Sequence, residues 1–193
     1  MKTIYFVRHS IRDISCKNDQ LAPLTAEGKI LAEQLGNYFV DKQIQKIYCS
    51  PYTRALQTIK PTADLLNTDV SIVDTLRERA VGCWVSDFSS FAASQWTNFD
   101  FKLENGESLN QVQKRIIPAY EKILRESKGN TIICGHGTSL SVLFHTLTEG
   151  EFGIEEFKKM TMPDVYLAEY DTKLRHFKRV VNGRAYSLKE KLT

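Results

Sequence analysis

Two stretches of the sequence place basic and imidazole side chains directly after an apolar run. In TIYFVRHSIRD the run ends at Arg8 and His9, and Arg12 follows shortly after. In NTIICGHGTSL the run ends at His136, which stands between two glycines. Arg54, in SPYTRALQT, comes soon after another apolar run. If these runs are strands of one parallel sheet, their carboxyl ends meet at one edge, and the side chains gather there.

A phosphoryl group is the ligand that this set of donors fits. Arginine side chains present planar, permanently charged forks that match the geometry of phosphate oxygens. Gly137 and Thr138 open the helix predicted after His136, and a free helix N-terminus favours an anion. The sequence therefore predicts an oxyanion site at which Arg8 and Arg54 lie beside His136 and Gly137.

Histidine is the member of this set that can react covalently. A neutral imidazole is a nucleophile, and a reference pKa of about 6.5 leaves much of the ring neutral near pH 7. The surrounding guanidinium groups oppose protonation of His9 and His136, so one ring stays free to attack while both help to hold the phosphoryl oxygens. The leaving oxygen needs a proton, and Glu78 in LRERAVG is the carboxylic acid best placed to supply it. Taken alone, Glu78 could equally pair with Arg77 or Arg79 at the surface.

The elements that must position these residues alternate between strands and helices. Strand-like runs are KTIYFV, KIYCS, VSIV and NTIICG. Helical periodicity appears in PLTAEGKILAEQLGNYFVDK, YTRALQTIKPTADLL, GESLNQVQKRIIPAYEKILRES and TSLSVLFHTLTE, and IEEFKKM is a shorter helix. Thr25 is the expected N-cap of the first helix, and Pro61 and Pro118 predict a bend or break.

This alternation predicts a layered α/β fold with a largely parallel sheet, in a single domain spanning residues 1–193. VYLAEYD and RHFKRVV are expected to form a terminal pair of strands. Ser50, like Arg8, His9 and His136, directly follows a strand, which places it on the same edge. We therefore expect the two ends of the chain to meet there.

The region from about 76 to 106 interrupts the alternation. It contains two tryptophans and four phenylalanines without a long period. We interpret it as an insertion of short helices and loops that covers one end of the sheet as a lid. Its aromatic residues are expected to be shared between the core and a partly apolar wall against the alcohol portion of a substrate. They are Trp84, Phe88, Phe91, Trp96 and Phe99.

Composition and charge exclude several classes of protein. The net charge is +3 with scattered basic residues, which argues against a nucleic-acid partner. The densest basic patch, KLRHFKR beside the end SLKEKLT, is interpreted as a solvated strand face and a charged end. No segment approaches the ~20 apolar residues of a membrane helix, and no secretion signal is seen, so we expect a cytoplasmic protein that binds no membrane.

The cysteines and the remaining histidines predict neither a disulfide framework nor a metal site. Four widely spread cysteines without a C-x-x-C pair are expected to be free thiols. His145 and Glu149 have a helical spacing that could hold a metal, but no third ligand accompanies them. His176 is expected to be exposed.

The residues that carry chemistry lie in six blocks that resemble the motifs of the histidine phosphatase superfamily, also called the phosphoglycerate mutase-like proteins. In chain order the blocks are FVRHS, LTAEG, CSPYTRALQT, LRERAVG, NGESLNQVQKR and CGHGTSL. They resemble R-H-G, L-T-x-x-G, S-P-x-x-R-A-x-Q-T, L-x-E-x-x-x-G, G-E-S and G-H-G-x-x-L. A lone R-H pair would say little, whereas six blocks in order are specific. The resemblance implies a three-layer α/β/α sandwich with a mostly parallel central sheet.

The resemblance also implies a role for individual residues. His9 becomes the phosphohistidine, while Arg8, Arg54 and His136 bind the phosphoryl oxygens. Glu78 is implied as proton donor to the leaving group and then as base for water. The scheme requires no metal and no cofactor.

The sequence departs from the family pattern just after R-H. At three successive positions the family has Gly, then Glu or Gln, then Thr, and this chain has Ser10, Ile11 and Arg12 there. Slightly further on, Ser15 stands where the family has Asn. Ser10 is expected either to orient His9 or a phosphoryl oxygen, or to cap the strand end. Arg12 is expected either to add a phosphate contact or to point into solvent. These changes bear on the substrate and leave the phosphoryl pocket intact.

Hydrolysis of small phosphate monoesters is the activity that the resemblance implies, because the mutase branch carries a longer middle insertion. The expected partner is a small phosphorylated metabolite or phosphate, and the sequence leaves a homodimer open. Two alternatives remain: a phosphoglycerate mutase, and a phosphate- or phosphoprotein-binding module without turnover.

Overall fold

The computed structural model describes residues 1–181 and 184–187. In chain order the elements are β1 (Lys2–Arg8), α1 (Ala26–Phe39), β2 (Ile44–Cys49), α2 (Thr53–Leu65), β3 (Val70–Ile72), a 3₁₀ turn (Asp74–Leu76), α3 (Phe88–Thr97), α4 (Leu109–Glu126), β4 (Asn130–Gly135), α5 (Gly137–Leu147), α6 (Ile154–Lys159), β5 (Asp164–Tyr170), β6 (Leu174–Val181) and β7 (Arg184–Ser187). Residues 174–179 of the basic patch KLRHFKR fall in β6. The charged end predicted for residues 188–193 lies outside the described residues.

One sheet of seven strands organises the molecule, in the order β3-β2-β4-β1-β5-β6-β7. The strands β3, β2, β4 and β1 run parallel to one another. The last three strands add antiparallel pairs at the other side of β1. Only residues 171–173 connect β5 to β6, and so short a turn permits antiparallel pairing alone.

Helices cover both faces of the sheet because side chains alternate along each strand. Ile4 and Phe6 of β1 pack into a core shared with α4 and α5, whereas Tyr5 and Val7 pack into a second core with α1 and α2. The predicted α/β/α sandwich is thereby confirmed.

The helix boundaries follow the capping signals of the sequence. The Thr25 hydroxyl accepts the Gly28 N–H at 3.0 Å, which confirms the predicted N-cap of α1. Pro61 and Pro118 lie inside α2 and α4, and neither ends its helix, so the predicted break does not occur. The apolar residues of the α1 segment do not all face the core: Ile30 is 55% exposed.

The region 76–106 contains one α-helix, α3, between irregular segments. Trp84 and Phe88 are exposed, whereas Trp96 and Phe99 pack against His145 with ring centroids 5.7 and 5.0 Å away. His145 lies nine residues after His136, about 13 Å along α5. Trp96 and Phe99 therefore contribute to packing at the far end of that helix, and the wall predicted for them is not at the histidine pair.

The remaining predictions concern cysteines and metal ligands. Among the described residues the four cysteines are free thiols. In that same part of the chain no helix has the length and apolar character needed to cross a membrane, and no group of three or more His, Cys, Asp and Glu could hold a metal. The helix α5 ends before Glu149, and the His145 ring bonds to the Phe152 carbonyl at 2.8 Å. His176 is exposed, as predicted.

Candidate active site

The carboxyl ends of β1, β2 and β4 lie side by side and position the candidate residues. Arg8 is in register with Gly135, and the His9 N–H donates to the Gly135 carbonyl at 3.0 Å. The Ser50 N–H donates to the Cys134 carbonyl at 3.0 Å. These backbone bonds extend the parallel sheet by one residue and bring the polar residues that follow each strand to one edge.

The two imidazoles meet at this edge, as the sequence analysis requires. The ring centroids of His9 and His136 are 5.2 Å apart, and the residues are 4% and 0% exposed. Burial lowers the pKa of His9 well below its usual value, and the neighbouring His136 ring and the Arg54 charge lower it further. Burial and then the charge of Arg54 likewise lower the pKa of His136. Both rings are therefore neutral near pH 7.

Hydrogen bonds determine which ring nitrogen of His9 carries the proton. Its Nδ1 lies 2.7 Å from the Ser10 carbonyl oxygen, which can only accept, so Nδ1 carries the proton. The Nε2 lone pair accepts a hydrogen bond from Arg54 Nε at 3.1 Å. Nε2 is thus the unprotonated ring nitrogen, and it lies beside a guanidinium group.

Ser10 acts on His9 through its backbone. Its hydroxyl donates to the Gly28 carbonyl in α1 at 2.8 Å, and its N–H donates to Thr58. These contacts favour the structural alternative for the Ser10 hydroxyl, and its predicted phosphate contact stays a prediction.

Ser50 orients His136, a role that the sequence analysis did not assign. The Ser50 Oγ accepts the Tyr52 N–H at 3.3 Å and lies 2.7 Å from His136 Nε2. If the hydroxyl donates to Nε2, the ring proton is on Nδ1. Nδ1 is buried and has no hydrogen-bond partner among the described residues. In that tautomer, Nδ1–H is a donor from which a ligand oxygen could accept.

The carboxylate of Asp19 joins two arginines in this site. Arg54 is 2% exposed; its Nη2 lies 3.3 Å from Asp19 Oδ2, and its Nη1 donates to the Asp19 carbonyl. Arg12 Nη1 lies 2.5 Å from Asp19 Oδ1. Arg12 is thus paired rather than free in solvent, and its phosphate contact stays a prediction. Asp19 is in a loop, and no periodicity in the sequence indicates this contact.

The guanidinium group of Arg8 lies against Gly137, the glycine that follows His136. Its Nη1 donates to the Met160 carbonyl at 3.0 Å, while its buried Nε has no partner among the described residues. A Cβ at Gly137 would lie 3.1 Å from three guanidinium atoms of Arg8. Any larger residue would push this guanidinium group aside by a few tenths of an ångström.

Glu78 reaches the N-terminus of α5 and corrects the predicted anion site there. Its carboxylate accepts the N–H groups of Thr138 at 3.0 Å and Ser139 at 2.9 Å. The free helix N–H groups expected to bind a phosphoryl oxygen beside Gly137 are therefore largely occupied by the chain's own carboxylate. Burial opposes ionisation of Glu78, but the Arg79 charge and the backbone hydrogen bonds outweigh it and lower its pKa. Glu78 is accordingly ionised in the free protein.

Arg79 is a buried residue that sequence analysis assigned only to a surface pair. It is 3% exposed, and its guanidinium carbon lies 5.4 Å from the Phe88 ring and 4.9 Å from the Phe91 ring. Its Nη1 donates to Gln95, while its Nε has no partner among the described residues. Phe88 and Phe91 therefore pack against the buried cationic side chain of Arg79, next to Glu78.

Comparison with known proteins now identifies the family. A model of the histidine phosphatase superfamily (branch 1) matches residues 4–182. The chain belongs to this superfamily. It is 27% identical over 185 residues to "Putative phosphoserine phosphatase 2" of Hydrogenobacter thermophilus, covering 88% of this chain and 89% of the relative.

Two further matches agree with this membership. "Probable phosphoglycerate mutase GpmB" of an Enterobacter species is 26% identical over 163 residues, covering 76% of this chain and 75% of the relative. The solved structure of Bacillus stearothermophilus YhfR aligns with a TM-score of 0.77 and 23% identity, covering 95% of this chain and 97% of YhfR. The histidine phosphatase fold is thus shared along most of the chain.

Proposed function

We propose that this histidine phosphatase hydrolyses small phosphate monoesters through a phosphohistidine at Nε2 of His9. One observation carries the proposal: a buried, neutral imidazole presents an unprotonated Nε2 beside Arg54 and 5.2 Å, centroid to centroid, from a second imidazole whose Nδ1 has no partner among the described residues. A nucleophile next to donors without ligands suits a tetrahedral oxyanion. The name of the Hydrogenobacter relative agrees with a phosphatase.

Binding of the substrate would begin with exchange of one anion for another. The phosphoryl oxygens would take the Nη2 of Arg54 from the half-exposed Asp19 carboxylate, and would receive further donation from Arg8 Nε and His136 Nδ1. Charge-assisted bonds to arginine hold phosphate in a fixed orientation. This places the phosphorus next to His9.

Once Arg54 Nε has released the Nε2 lone pair of His9, the first transfer forms a bond from Nε2 to phosphorus and breaks the bond from phosphorus to the ester oxygen. The alkoxide takes a proton from Glu78. Because Glu78 is ionised in the free protein, the proton must reach it with the substrate. A phosphate monoanion can bring that proton, and the negative charge that remains at the phosphoryl group raises the pKa of Glu78.

The second transfer reverses these roles. Glu78 removes a proton from water, whose oxygen attacks phosphorus while the bond to Nε2 breaks and its electron pair returns to the imidazole. Inorganic phosphate leaves as its monoanion with the proton from Glu78, and the carboxylate returns to the ionised state of the free protein. The Ser10 carbonyl stays bonded to Nδ1 throughout and stabilises the charged ring in the intermediate.

Rapid acid-free quenching with a radiolabelled monoester tests the proposal. Wild-type protein should carry base-stable, acid-labile label on His9, and His9→Ala should lose label and roughly 10⁴-fold in turnover. The variant His176→Ala, on an exposed position of β6, is the control and should retain both. Persistence of hydrolysis in His9→Ala would refute the mechanism, and phosphate or vanadate binding without turnover in the wild type would favour a binding module.

A phosphoglycerate mutase is the second candidate, because one relative carries that name. A mutase would return the phosphoryl group from His9 to a hydroxyl of the substrate instead of to water. Phosphoglycerate with a bisphosphate primer, assayed beside hydrolysis in one preparation, separates the two activities. Isomerisation faster than phosphate release would assign the mutase.

A further inference from the structure

An ion pair between Arg115 and Glu107 lies directly behind Glu78. Arg115 is on α4, and Glu107 immediately precedes the N-cap of that helix. The guanidinium group donates from Nε to Oε1 and from Nη2 to Oε2, both at 2.9 Å. The two side chains are only 11% and 16% exposed. Such a parallel pair is rigid as well as strong.

The same guanidinium group holds the backbone that carries Glu78. Its Nη1 donates to the carbonyls of Thr75 at 2.8 Å and Arg77 at 2.9 Å, and its Nη2 donates to the Glu78 carbonyl at 3.1 Å. Together with the two bonds to Glu107, these contacts use all five N–H donors of an arginine. No other residue type offers five donors in a fixed plane, so lysine cannot reproduce the arrangement.

Glu107 holds the other side of the same segment. Its Oε2 accepts the Ala80 N–H at 3.0 Å, its own N–H donates to the Ala80 carbonyl at 2.8 Å, and its Oε1 accepts from Arg77 Nη2 at 3.0 Å. Residues 77–80 belong to no helix or strand. Their position therefore depends on these side-chain bonds instead of on a ladder of backbone bonds.

We propose that Arg115 and Glu107 are positioning residues for phosphoryl transfer, which hold the Glu78 carboxyl group at the leaving oxygen. The inference rests on the proposed function. Glu78 lies between the clamped carbonyls of Thr75 and Arg77 on one side and the clamped Ala80 on the other. A shift of about 1 Å in this backbone would move its carboxyl group out of hydrogen-bond reach of the substrate.

The test compares two substrates that differ in their need for a proton donor. A p-nitrophenyl ester leaves without protonation, whereas an alkyl phosphate requires the acid. The quantity to measure is kcat/KM, which reports the step in which the leaving group departs. Glu78→Gln should lower kcat/KM for the alkyl ester by about 10²-fold more than for the aryl ester. Arg115→Lys and Glu107→Gln should change the same ratio about tenfold, in the same direction.

The ratio of the two rates does not depend on how much of a variant is folded, so a loss of stability alone cannot change it. Arg125→Lys and Glu121→Gln, at exposed positions on α4, are matched controls and should leave the ratio unchanged. In the Glu78→Gln background, Arg115→Lys should change the ratio less than twofold, because positioning residues act through the residue they position.

Equal losses on both substrates in Arg115→Lys and in Glu107→Gln would overturn the inference. An unreduced effect of Arg115→Lys in the Glu78→Gln background would also overturn it. If the wild-type protein hydrolyses neither ester, the proposed function fails instead, and the two failures are distinct.

Discussion

Replacement of Asp19 by asparagine should strengthen anion binding. The Asp19 carboxylate occupies Arg54 Nη2 at 3.3 Å and Arg12 Nη1 at 2.5 Å, so an incoming phosphoryl group must compete with it. The asparagine side chain would keep the size of the residue, and the backbone carbonyl would stay in place, but one negative charge would be removed. The perturbation is therefore electrostatic.

The expected gain follows from distance and exposure. Two unit charges 3.3 Å apart interact by about 1 kcal/mol in water. Because the Asp19 side chain is 47% exposed, the value in water is the appropriate one, and it agrees with the range of roughly 0–1 kcal/mol for exposed ion pairs. A change of about 1 kcal/mol corresponds to roughly fivefold tighter binding.

Titration calorimetry with orthovanadate, and inhibition of aryl phosphate hydrolysis by inorganic phosphate, measure this change. Asp64→Asn is the matched control: Asp64 is exposed, lies on the same helix as Arg54, and pairs only with Lys60 among the described residues. Asp64→Asn should leave the dissociation constant for orthovanadate unchanged. Weaker binding in Asp19→Asn would refute the competition argument and would show instead that Asp19 serves to orient the guanidinium group.

Three further predictions concern the supports of the site. Gly28→Ala should lower the free energy of unfolding, measured by urea denaturation, by about 1–2 kcal/mol. The new methyl group would overlap the Ile11 carbonyl oxygen, and this overpacking against backbone outweighs the gain of about 1 kcal/mol in helix propensity. Unchanged stability would contradict this close approach. Ser50→Ala should weaken vanadate binding about tenfold by releasing the His136 ring, and binding equal to wild type would remove Ser50 from the site. The unfolded chain binds protons at His9 and His136 near pH 6.5, whereas the folded protein binds them only at lower pH. The free energy of unfolding should therefore fall as the pH drops below about 6.5. A urea midpoint that does not change with pH in this range would contradict the buried neutral rings.

The placement of the histidines was predictable because it depends on local pattern and on topology. His9 and His136 each follow an apolar strand directly, and the carboxyl ends of parallel neighbours necessarily meet at one edge. The N-cap at Thr25 depends on a few consecutive residues and was predictable for the same reason. The motifs then assigned the family, which periodicity alone does not do.

The partners of loop side chains were not predictable in this way. Asp19 contacts Arg54, 35 residues away, and Glu78 contacts Thr138, 60 residues away. Neither pairing has a period or a fixed spacing, because each depends on how two irregular segments pack across the sheet edge. Glu78 was expected to be a proton donor, yet the Arg79 charge and the backbone hydrogen bonds lower its pKa and keep it ionised in the free protein. The burial of Arg79 likewise depends on aromatic rings that the sequence assigned to a substrate wall.

The position of β1 in the sheet has a consequence for protein synthesis. This strand lies between β4 and β5, and its two neighbours are made only when translation has passed residue 170. Until β4 is made, β1 has no neighbouring strand, and one of its edges stays unpaired until β5 follows, which leaves that edge open to other nascent chains or to chaperones. His9 is therefore made long before His136 and the two strands that flank β1, and recovery of activity should report a late step of folding.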